Sequence, residues 1–349
     1  MDRRYYLDLA AQGLRMPIGA DLILHENPDP EAIMLDGSRL GAVVEEAARR
    51  YRTPLAFPLM DLRLEKADLL DAFGIPGEEA DRFAFSEPPD HVAAMLDRPF
   101  AKRNQAHIDA VRHIATRTDL LPVGMAIGPF SLTTKLMADP IPAIAMAGSG
   151  VSPEDSPEVA LFERCFEVAE AAVHRSVQAQ IDAGAKAVLI CEPAANIVYI
   201  SPRQLARGSD VFERFVLTSN ERIADRLAKA GVDLIFHDCG ELTTDMVHAF
   251  ATRLHPAILS LGSSRKLWED AAVVPTDVVL FGNLPTKNFY SDAAVPIERV
   301  EEMTRDLIRR MAETGHPYIV GSECDVLFVP DAAATIRAKV DAMLHASAW

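Results

Sequence analysis

The chain has 349 residues, of which 49% are hydrophobic and 25% are charged, and its formal net charge at pH 7 is −16. A surface this acidic repels phosphate backbones and anionic lipids, which argues against nucleic acid and membrane surfaces as partners. No stretch reaches the roughly 20 apolar residues of a membrane span, and residues 1–8 lack the apolar segment of a secretory signal, so we expect a cytoplasmic protein.

Two apolar runs lie in the first third of the chain, Met16–Leu24 and Pro54–Met60, and each has the length of a strand. Residues 25–52 and 62–118 carry helical and loop patterns. We therefore interpret residues 1–118 as N-terminal strands with a helical extension.

Residues 119–349 follow a regular pattern, in which a short apolar run is followed by a turn and then by a long amphipathic stretch. The clearest helical stretches are Glu158–Ala183, Val211–Ala230 and Ile297–Glu313. Strands that alternate with helices predict parallel pairing with helical crossovers. The six predicted strands are Leu121–Ile127, Ala187–Ile190, Val232–Phe236, Ala257–Leu261, Val278–Phe281 and Tyr318–Val320.

Eight predicted strands are the number that closes a barrel. The sequence therefore predicts an α/β fold, a distorted (β/α)8 TIM-type barrel with an N-terminal helical extension, as a single domain over residues 1–349. An open doubly wound sheet is less favoured, because no glycine-rich dinucleotide fingerprint follows any strand. The stretch Ala138–Pro157 is rich in proline, glycine and serine, and we predict a lid there, on the side where barrel active sites form.

The run Val232–Gly240 carries the strongest chemical signal. Side chains alternate along a strand, so His237 and Cys239 point the same way, about 6–7 Å apart along the chain. Both stand at the strand end where barrel enzymes do their chemistry. Cys324 follows the last predicted strand and is expected across the barrel mouth. One imidazole and two thiolates form a zinc site, and three protein ligands leave the open position of a catalytic zinc.

Packing is the alternative for these cysteines, because cysteine is among the most buried residue types. Four cysteines in so long a chain do not make a disulfide framework, so their thiols are free. Cys165 lies in a helical pattern and is predicted to be a core residue. Cys191 ends a strand beside Glu192 and stays a less favoured ligand.

Short motifs follow one another along most of the chain from about residue 50. They are Met60-Asp61-Leu62, Gly128-Pro129-Phe130, Glu192-Pro193, Ile200-Ser201-Pro202, His237-Asp238-Cys239-Gly240, Gly282-Asn283 and Cys324. In this order and spacing they resemble the motifs of the uroporphyrinogen decarboxylase superfamily. The branch that they resemble is the zinc-dependent corrinoid methyltransferases, of the methylcobalamin:coenzyme M methyltransferase type.

The resemblance implies zinc at the barrel mouth, held by His237, Cys239 and Cys324. It also implies a methyl transfer between cobalamin and a small molecule, either a methyl donor or a thiol acceptor. Zinc would activate that donor or acceptor, and the cobalamin would be free or carried by a corrinoid-binding protein that docks over the mouth.

Further site residues come from the same resemblance. It implies a catalytic set that includes Glu192, Asp61 and Asn283. It also implies that the turn formed by Gly128, Pro129 and Phe130 contacts the cofactor.

The end of the chain departs from the family pattern, with Ser322-Glu323-Cys324-Asp325 where the family has Gly-Cys-Glu. Glu323, Asp325 and Glu192 are candidates for a fourth, oxygen ligand or for a proton acceptor. For each of the three, a solvated loop carboxylate is the alternative. Asp238 lies between two ligands and is expected to point away from the metal and to support them.

Other functions stay open. A metal-free lyase of the uroporphyrinogen decarboxylase type would have an arginine-rich N-terminal segment, whereas Gly13–Ala20 offers one arginine. A homocysteine methyltransferase similar to methionine synthase shares the His-x-Cys pair and the distal cysteine. A non-catalytic binding module is compatible with the same fold. The sequence leaves the choice between a monomer and a homodimer open.

Overall fold

The computed structural model of the chain describes residues 3–77, 79–90 and 96–346. All strand pairs are parallel, and the sheet runs in the order β1-β8-β7-β6-β5-β4-β3-β2. This sheet curls on itself inside a layer of helices, so the fold is a distorted (β/α)8 barrel, as predicted. The strands are β1 (Arg15–Ile18), β2 (Leu55–Ala56), β3 (Leu121–Ile127), β4 (Ala187–Cys191), β5 (Asp233–Asp238), β6 (Ile258–Leu261), β7 (Val279–Leu284) and β8 (Tyr318–Asp325).

Helices precede, connect and surround the strands. Within the described residues, none combines the length and the hydropathy that a membrane span requires. They are α1 (Arg4–Ala11), α2 (Asp21–Leu24), α3 (Pro30–Ile33), α4 (Gly37–Arg50), α5 (Leu64–Ala72), α6 (Lys102–Arg117), α7 (Pro129–Leu136), α8 (Ile141–Ala147), α9 (Pro157–Asp182), α10 (Pro202–Leu205), α11 (Thr218–Lys229), α12 (Thr244–Ala249), α13 (Leu267–Asp270), α14 (Ile297–Thr314) and α15 (Ala333–His345), with π-helical turns at Phe212–Leu217 and Phe250–Leu254 and 3-10 turns at Thr286–Asn288 and Pro330–Ala332.

Side-chain alternation divides most strands between two cores. In β4, Leu189 and Cys191 join the cluster inside the barrel, whereas Val188 and Ile190 pack among the outer helices. Because the strands are covered on both faces, they are continuously apolar, which is why they stand out in the sequence.

The barrel closes imperfectly between its first two strands. Within the described part of the chain, no backbone ladder joins β1 to β2. The gap is bridged by side chains: Thr53 Oγ1 lies 3.1 Å from Met16 Sδ, and Leu55 is buried in the same interior cluster as Met16. This open seam is the distortion of the barrel.

Helix α1 was not expected from the sequence, and it covers the amino-terminal end of the barrel. The Tyr6 hydroxyl donates to Asp233 Oδ2 at 2.9 Å, and Arg3 Nη1 donates to the carbonyl of Pro256 at 2.9 Å. Since Asp233 begins β5, this contact lies at the end opposite the carboxyl ends of the strands. The other end is therefore the open mouth.

Two predicted strands are shorter in the structure. The run Met16–Leu24 leaves the sheet after Ile18, because Gly19 turns the chain with a φ of +88° and α2 begins at Asp21. Of Pro54–Met60, only Leu55–Ala56 pairs in the sheet, and the prolines at either side cannot donate to a ladder.

Two other segments also differ from the prediction. The stretch predicted as a helix over Val211–Ala230 begins with the π-helical turn before α11 continues it. The proposed lid Ala138–Pro157 contains helix α8, whose Ala143, Ile144 and Ala147 are buried. This part of the proposed lid therefore packs into the core between the strands and the outer helices.

Candidate metal centre

Three side chains meet at the mouth of the barrel. His237 comes from the end of β5, Cys239 follows that strand directly, and Cys324 is the residue before the last one of β8. Their ligand atoms all lie within 4.8 Å of one another, and the two sulfurs are 3.8 Å apart. The structure therefore brings together the three residues that were predicted as metal ligands.

The His237 ring is fully buried and has a defined orientation. Its Nδ1 lies 2.8 Å from Oγ of Ser260 on the neighbouring strand. Nε2 is buried and has no hydrogen-bond partner among the described residues. Because a buried polar atom without a partner is costly, Nε2 is suited to bind an ion at this point.

The pKa values of the two cysteines are shifted in opposite directions. The hydrogen bond with Cys324 lowers the pKa of Cys239 well below its ordinary value, against burial and with the help of His237. The same hydrogen bond and burial raise the pKa of Cys324. These opposite shifts favour the thiolate at Cys239, and a metal that binds both sulfurs would displace the remaining proton.

These donors fit zinc. Imidazole nitrogen and thiolate sulfur are typical zinc ligands, and three protein ligands leave one coordination position open. No carboxylate oxygen belongs to the cluster within residues 3–77, 79–90 and 96–346. Asp238 is fully buried between the ligands, and its Oδ1 accepts a hydrogen bond of 2.8 Å from the Gly240 amide. It thus holds the turn that carries Cys239.

The loops next to the cluster are fixed by Glu323 and Asn283. Glu323 accepts hydrogen bonds from Ser263 and, at 3.3 Å, from the Lys287 amide. Asn283 Nδ2 donates to the carbonyls of Gly262 at 2.7 Å and Arg265 at 2.8 Å. Each side chain therefore holds loops at the mouth, and the catalytic role predicted for Asn283 remains a prediction.

Lys287 lies close enough to the two sulfurs to interact with both. Burial opposes its charge, but the neighbouring Cys239 and Cys324 outweigh that effect and raise the pKa of Lys287. Lys287 was not expected from the sequence to belong to the site. Its position four residues after Asn283, in the loop after β7, could have indicated that Lys287 belongs to the site.

Glu192 lies on the helix side of β4 and does not join the metal cluster. Its carboxylate accepts hydrogen bonds from the amides of Phe130 at 3.2 Å and Ser131 at 2.8 Å, and from Asn220 Nδ2 at 2.9 Å. Burial raises its pKa against these hydrogen bonds. The observed role is to cap the N-terminus of α7.

The turn Gly128–Phe130 is built around this carboxylate. A Cβ on Gly128 would lie 2.0 Å from Cδ of Glu192, so only glycine allows so close an approach. Pro129 begins α7, and the Phe130 ring packs edge-on against Phe162 inside the core. The contact of this turn with a cofactor remains a prediction.

A cleft of about 440 Å³ opens beside Cys324, and its lining includes Met60, Asp61 and Lys287. Asp61 accepts from Arg63 Nε at 2.9 Å and pairs with Arg103 Nη2 at 2.7 Å. Burial opposes the charge of Asp61, but these arginines outweigh it and lower the pKa. The carboxylate is thus an ionised anchor in the cleft wall, and its predicted catalytic role stays a prediction.

Ser260 was also not expected from the sequence to belong to the site. In the sheet, Ser260 stands directly opposite His237 in the register of β5 and β6. The signal was present in the sequence, because Ser260 is the one polar residue in the apolar run Ala257–Leu261. Its significance depended on knowing which strand lies beside β5.

Comparison with known proteins agrees with this architecture. A solved structure of a methyltransferase from Methanosarcina mazei superimposes with a TM-score of 0.66 over 98% of each chain, at 17% sequence identity, which shows the shared fold. No curated protein sequence matches the chain. The model of the uroporphyrinogen decarboxylase (URO-D) family matches residues 81–344, well over half of the sequence. The chain therefore belongs to the uroporphyrinogen decarboxylase family.

Proposed function

We propose that this protein is a zinc-dependent methyltransferase that moves a methyl group between a corrinoid and a small substrate. The observation that carries the proposal is the cluster of His237, Cys239 and Cys324, with the buried Nε2 of His237 left without a partner among the described residues. Two sulfurs and an imidazole within 4.8 Å of one another are the donors that zinc prefers. The methyltransferase from Methanosarcina mazei with the same fold supports the class of reaction.

The proposed roles follow from the positions of the side chains. His237, Cys239 and Cys324 would hold zinc, and Ser260 would keep the His237 ring turned toward it. Bound zinc would supply Lewis acidity, which lowers the pKa of a coordinated thiol or polarises the bond to a methyl group. The charge of Lys287 next to the sulfurs would stabilise negative charge on an incoming substrate.

The substrate and the corrinoid would approach from the mouth. The cleft beside Cys324 is the space for the small molecule, a methyl donor or a thiol acceptor. The opposite end of the barrel is covered by α1, so a corrinoid-binding protein would dock over the mouth. The turn Gly128–Phe130, which follows β3, lies at this end. The corrinoid would provide or receive the methyl group.

The metal content of the purified protein tests the first half of this proposal. We expect about one zinc per chain in the wild type, and its loss in Cys239→Ala and in Cys324→Ala. Cys165→Ala is the matched control, because Cys165 is a buried free cysteine of α9. A wild-type chain that binds no zinc after reconstitution would refute the metal centre.

Methyl transfer tests the second half. Zinc-loaded protein mixed with methylcobalamin and a panel of thiols should consume methylcobalamin and form a thioether. The consumption of methylcobalamin is monitored by its absorption spectrum. Cys165→Ala should retain this activity and Cys239→Ala should lose it. Turnover of uroporphyrinogen by metal-free protein would instead assign the decarboxylase reaction, which remains the alternative because the family is defined by that enzyme.

A further inference from the structure

We propose that the Met60 thioether is the fourth ligand of the metal in the resting enzyme and that substrate displaces it. The inference rests on the proposed zinc site and adds a ligand to it. The sequence pointed to carboxylates for this position, whereas in the structure the sulfur of Met60 lies beside Cys324. Met60 Sδ lies 3.8 Å from Cys324 Sγ, and Met60 is partly buried in the wall of the cleft.

The distances between sulfurs carry the argument. Zinc–sulfur bonds of about 2.3 Å in a tetrahedron place neighbouring sulfurs about 3.8 Å apart. The separation of Cys239 and Cys324 is 3.8 Å, and that of Cys324 and Met60 is also 3.8 Å. Both sulfur–sulfur distances at Cys324 therefore match the distance expected between two sulfur ligands of one tetrahedral zinc.

Each of the three carboxylates makes contacts outside the cluster. Glu323 accepts hydrogen bonds at both of its oxygens, from Ser263 and from the Lys287 amide. Asp325 packs against Gly19, where an added Cβ would meet its Oδ1 at 1.9 Å. Glu192 caps α7. Within the described residues, no oxygen of these groups belongs to the cluster of His237, Cys239 and Cys324.

Its position makes Met60 a ligand that can leave. It comes from the chain between β2 and α5, beside the open seam of the barrel, whereas the other three ligands stand at the ends of β5 and β8. Met60 also lines the cleft, so a substrate that enters there meets it directly. A neutral thioether is a weak, soft ligand compared with a thiolate.

The exchange is a simple substitution. Met60 Sδ would give up its place at the metal to the substrate sulfur, and the thiol proton would leave to solvent. Nothing is oxidised or reduced. Met60 would thus keep water from the resting metal and give way to a thiol, which is a stronger ligand.

Zinc X-ray absorption on selenomethionine-labelled, zinc-loaded protein tests this assignment, because selenium marks methionine and not cysteine. We expect a selenium scatterer at bonding distance in the resting wild type, its absence in Met60→Leu, and its loss from the wild type when 2-mercaptoethanol is added. Met34→Leu is the matched control, since Met34 lines the same cleft and its variant should keep the selenium signal.

The outcomes separate the two proposals. Zinc bound with two sulfurs, one nitrogen and one oxygen, and with no selenium, would overturn the role of Met60 and leave the zinc site intact. Selenium that persists in Met60→Leu would also overturn it. Wild-type protein that holds no zinc would overturn both proposals. Zinc affinity in Met60→Leu should fall less than tenfold, because water can take the fourth position, and this shows that the variant remains folded.

Discussion

Oγ of Ser260 lies 2.8 Å from Nδ1 of His237, on adjacent strands and in register, so the second nitrogen of the ring faces Cys239 and Cys324. A side chain that holds one nitrogen of a histidine sets the tautomer and the direction of the other. The metal affinity of the cluster should therefore depend on a residue that does not touch the metal.

Ser260→Ala removes this hydrogen bond and leaves Nδ1 buried without a partner. We expect zinc affinity to fall about 10–100-fold, the usual effect of losing such a support, as measured by competition with a chromophoric chelator. Ser219→Ala is the control, because the Ser219 hydroxyl is buried without a partner among the described residues. Equal affinities in the two variants would show that Ser260 does not position the ring.

Loss of the Glu192 carboxylate should lower the stability of the protein and leave metal binding intact. Glu192→Ala leaves the amides of Phe130 and Ser131 and the Asn220 side chain without their acceptor. We expect the free energy of unfolding to fall by about 2–4 kcal/mol, measured by urea denaturation, with about one zinc per chain retained. Loss of zinc from a folded variant would contradict the capping role.

Asp61→Asn should lower the free energy of unfolding, because Asp61 anchors the wall of the cleft. The carboxylate of Asp61 is 7% exposed and pairs with Arg63 and Arg103, so its loss should cost about 1–3 kcal/mol at pH 7. The pKa of Asp61 is lowered from 3.8, so its contribution is present above pH 3.8 and lost as pH falls through the lower native pKa. Unfolding curves of the two proteins should therefore converge in acid. A constant difference down to pH 2 would refute the ion-pair explanation.

Glu65 should make stability depend on pH in the opposite direction. Burial raises its pKa from 4.5 to about 7, although Ser176 donates to the carboxyl at 2.8 Å. The native state therefore binds this proton more tightly than the unfolded chain, so stability falls as pH rises from 4.5 to about 7. Glu65→Gln should be more stable than the wild type above pH 7, by up to about 3 kcal/mol, and similar to it near pH 4.5.

The measurement is the free energy of unfolding from pH 4.5 to pH 8 for the wild type, Glu65→Gln and the exposed control Glu154→Gln. The control should follow the wild-type curve. If Glu65→Gln kept the same slope as the wild type, the pH dependence would arise from other groups.

Much of the fold follows from local pattern. The strands β3 to β8 are covered on both faces, so they are continuously apolar. Such apolar runs can be recognised in the sequence without knowledge of the tertiary contacts. The pairing of His237 with Cys239 is equally local, because alternation along one strand places both side chains on one side. Helix α1 has two turns and a weak local signal, and it was not predicted; β2 was predicted over Pro54–Met60 but pairs over only two residues.

The direction of the Cys324 side chain could not be predicted from the local sequence pattern. Ile319 faces the barrel interior, so strict alternation would turn Cys324 away from it. In the structure, Met16 pairs with Gly321 and Ile18 with Asp325, so β8 holds two extra residues between these pairs. Such a bulge re-aims the side chains that follow it. The sequence by itself determined the barrel class and the two ligands on one strand. The position of Cys324, the support of His237 by Ser260 and the approach of Met60 were decided by how the strands register and close, because these contacts join residues far apart in the chain.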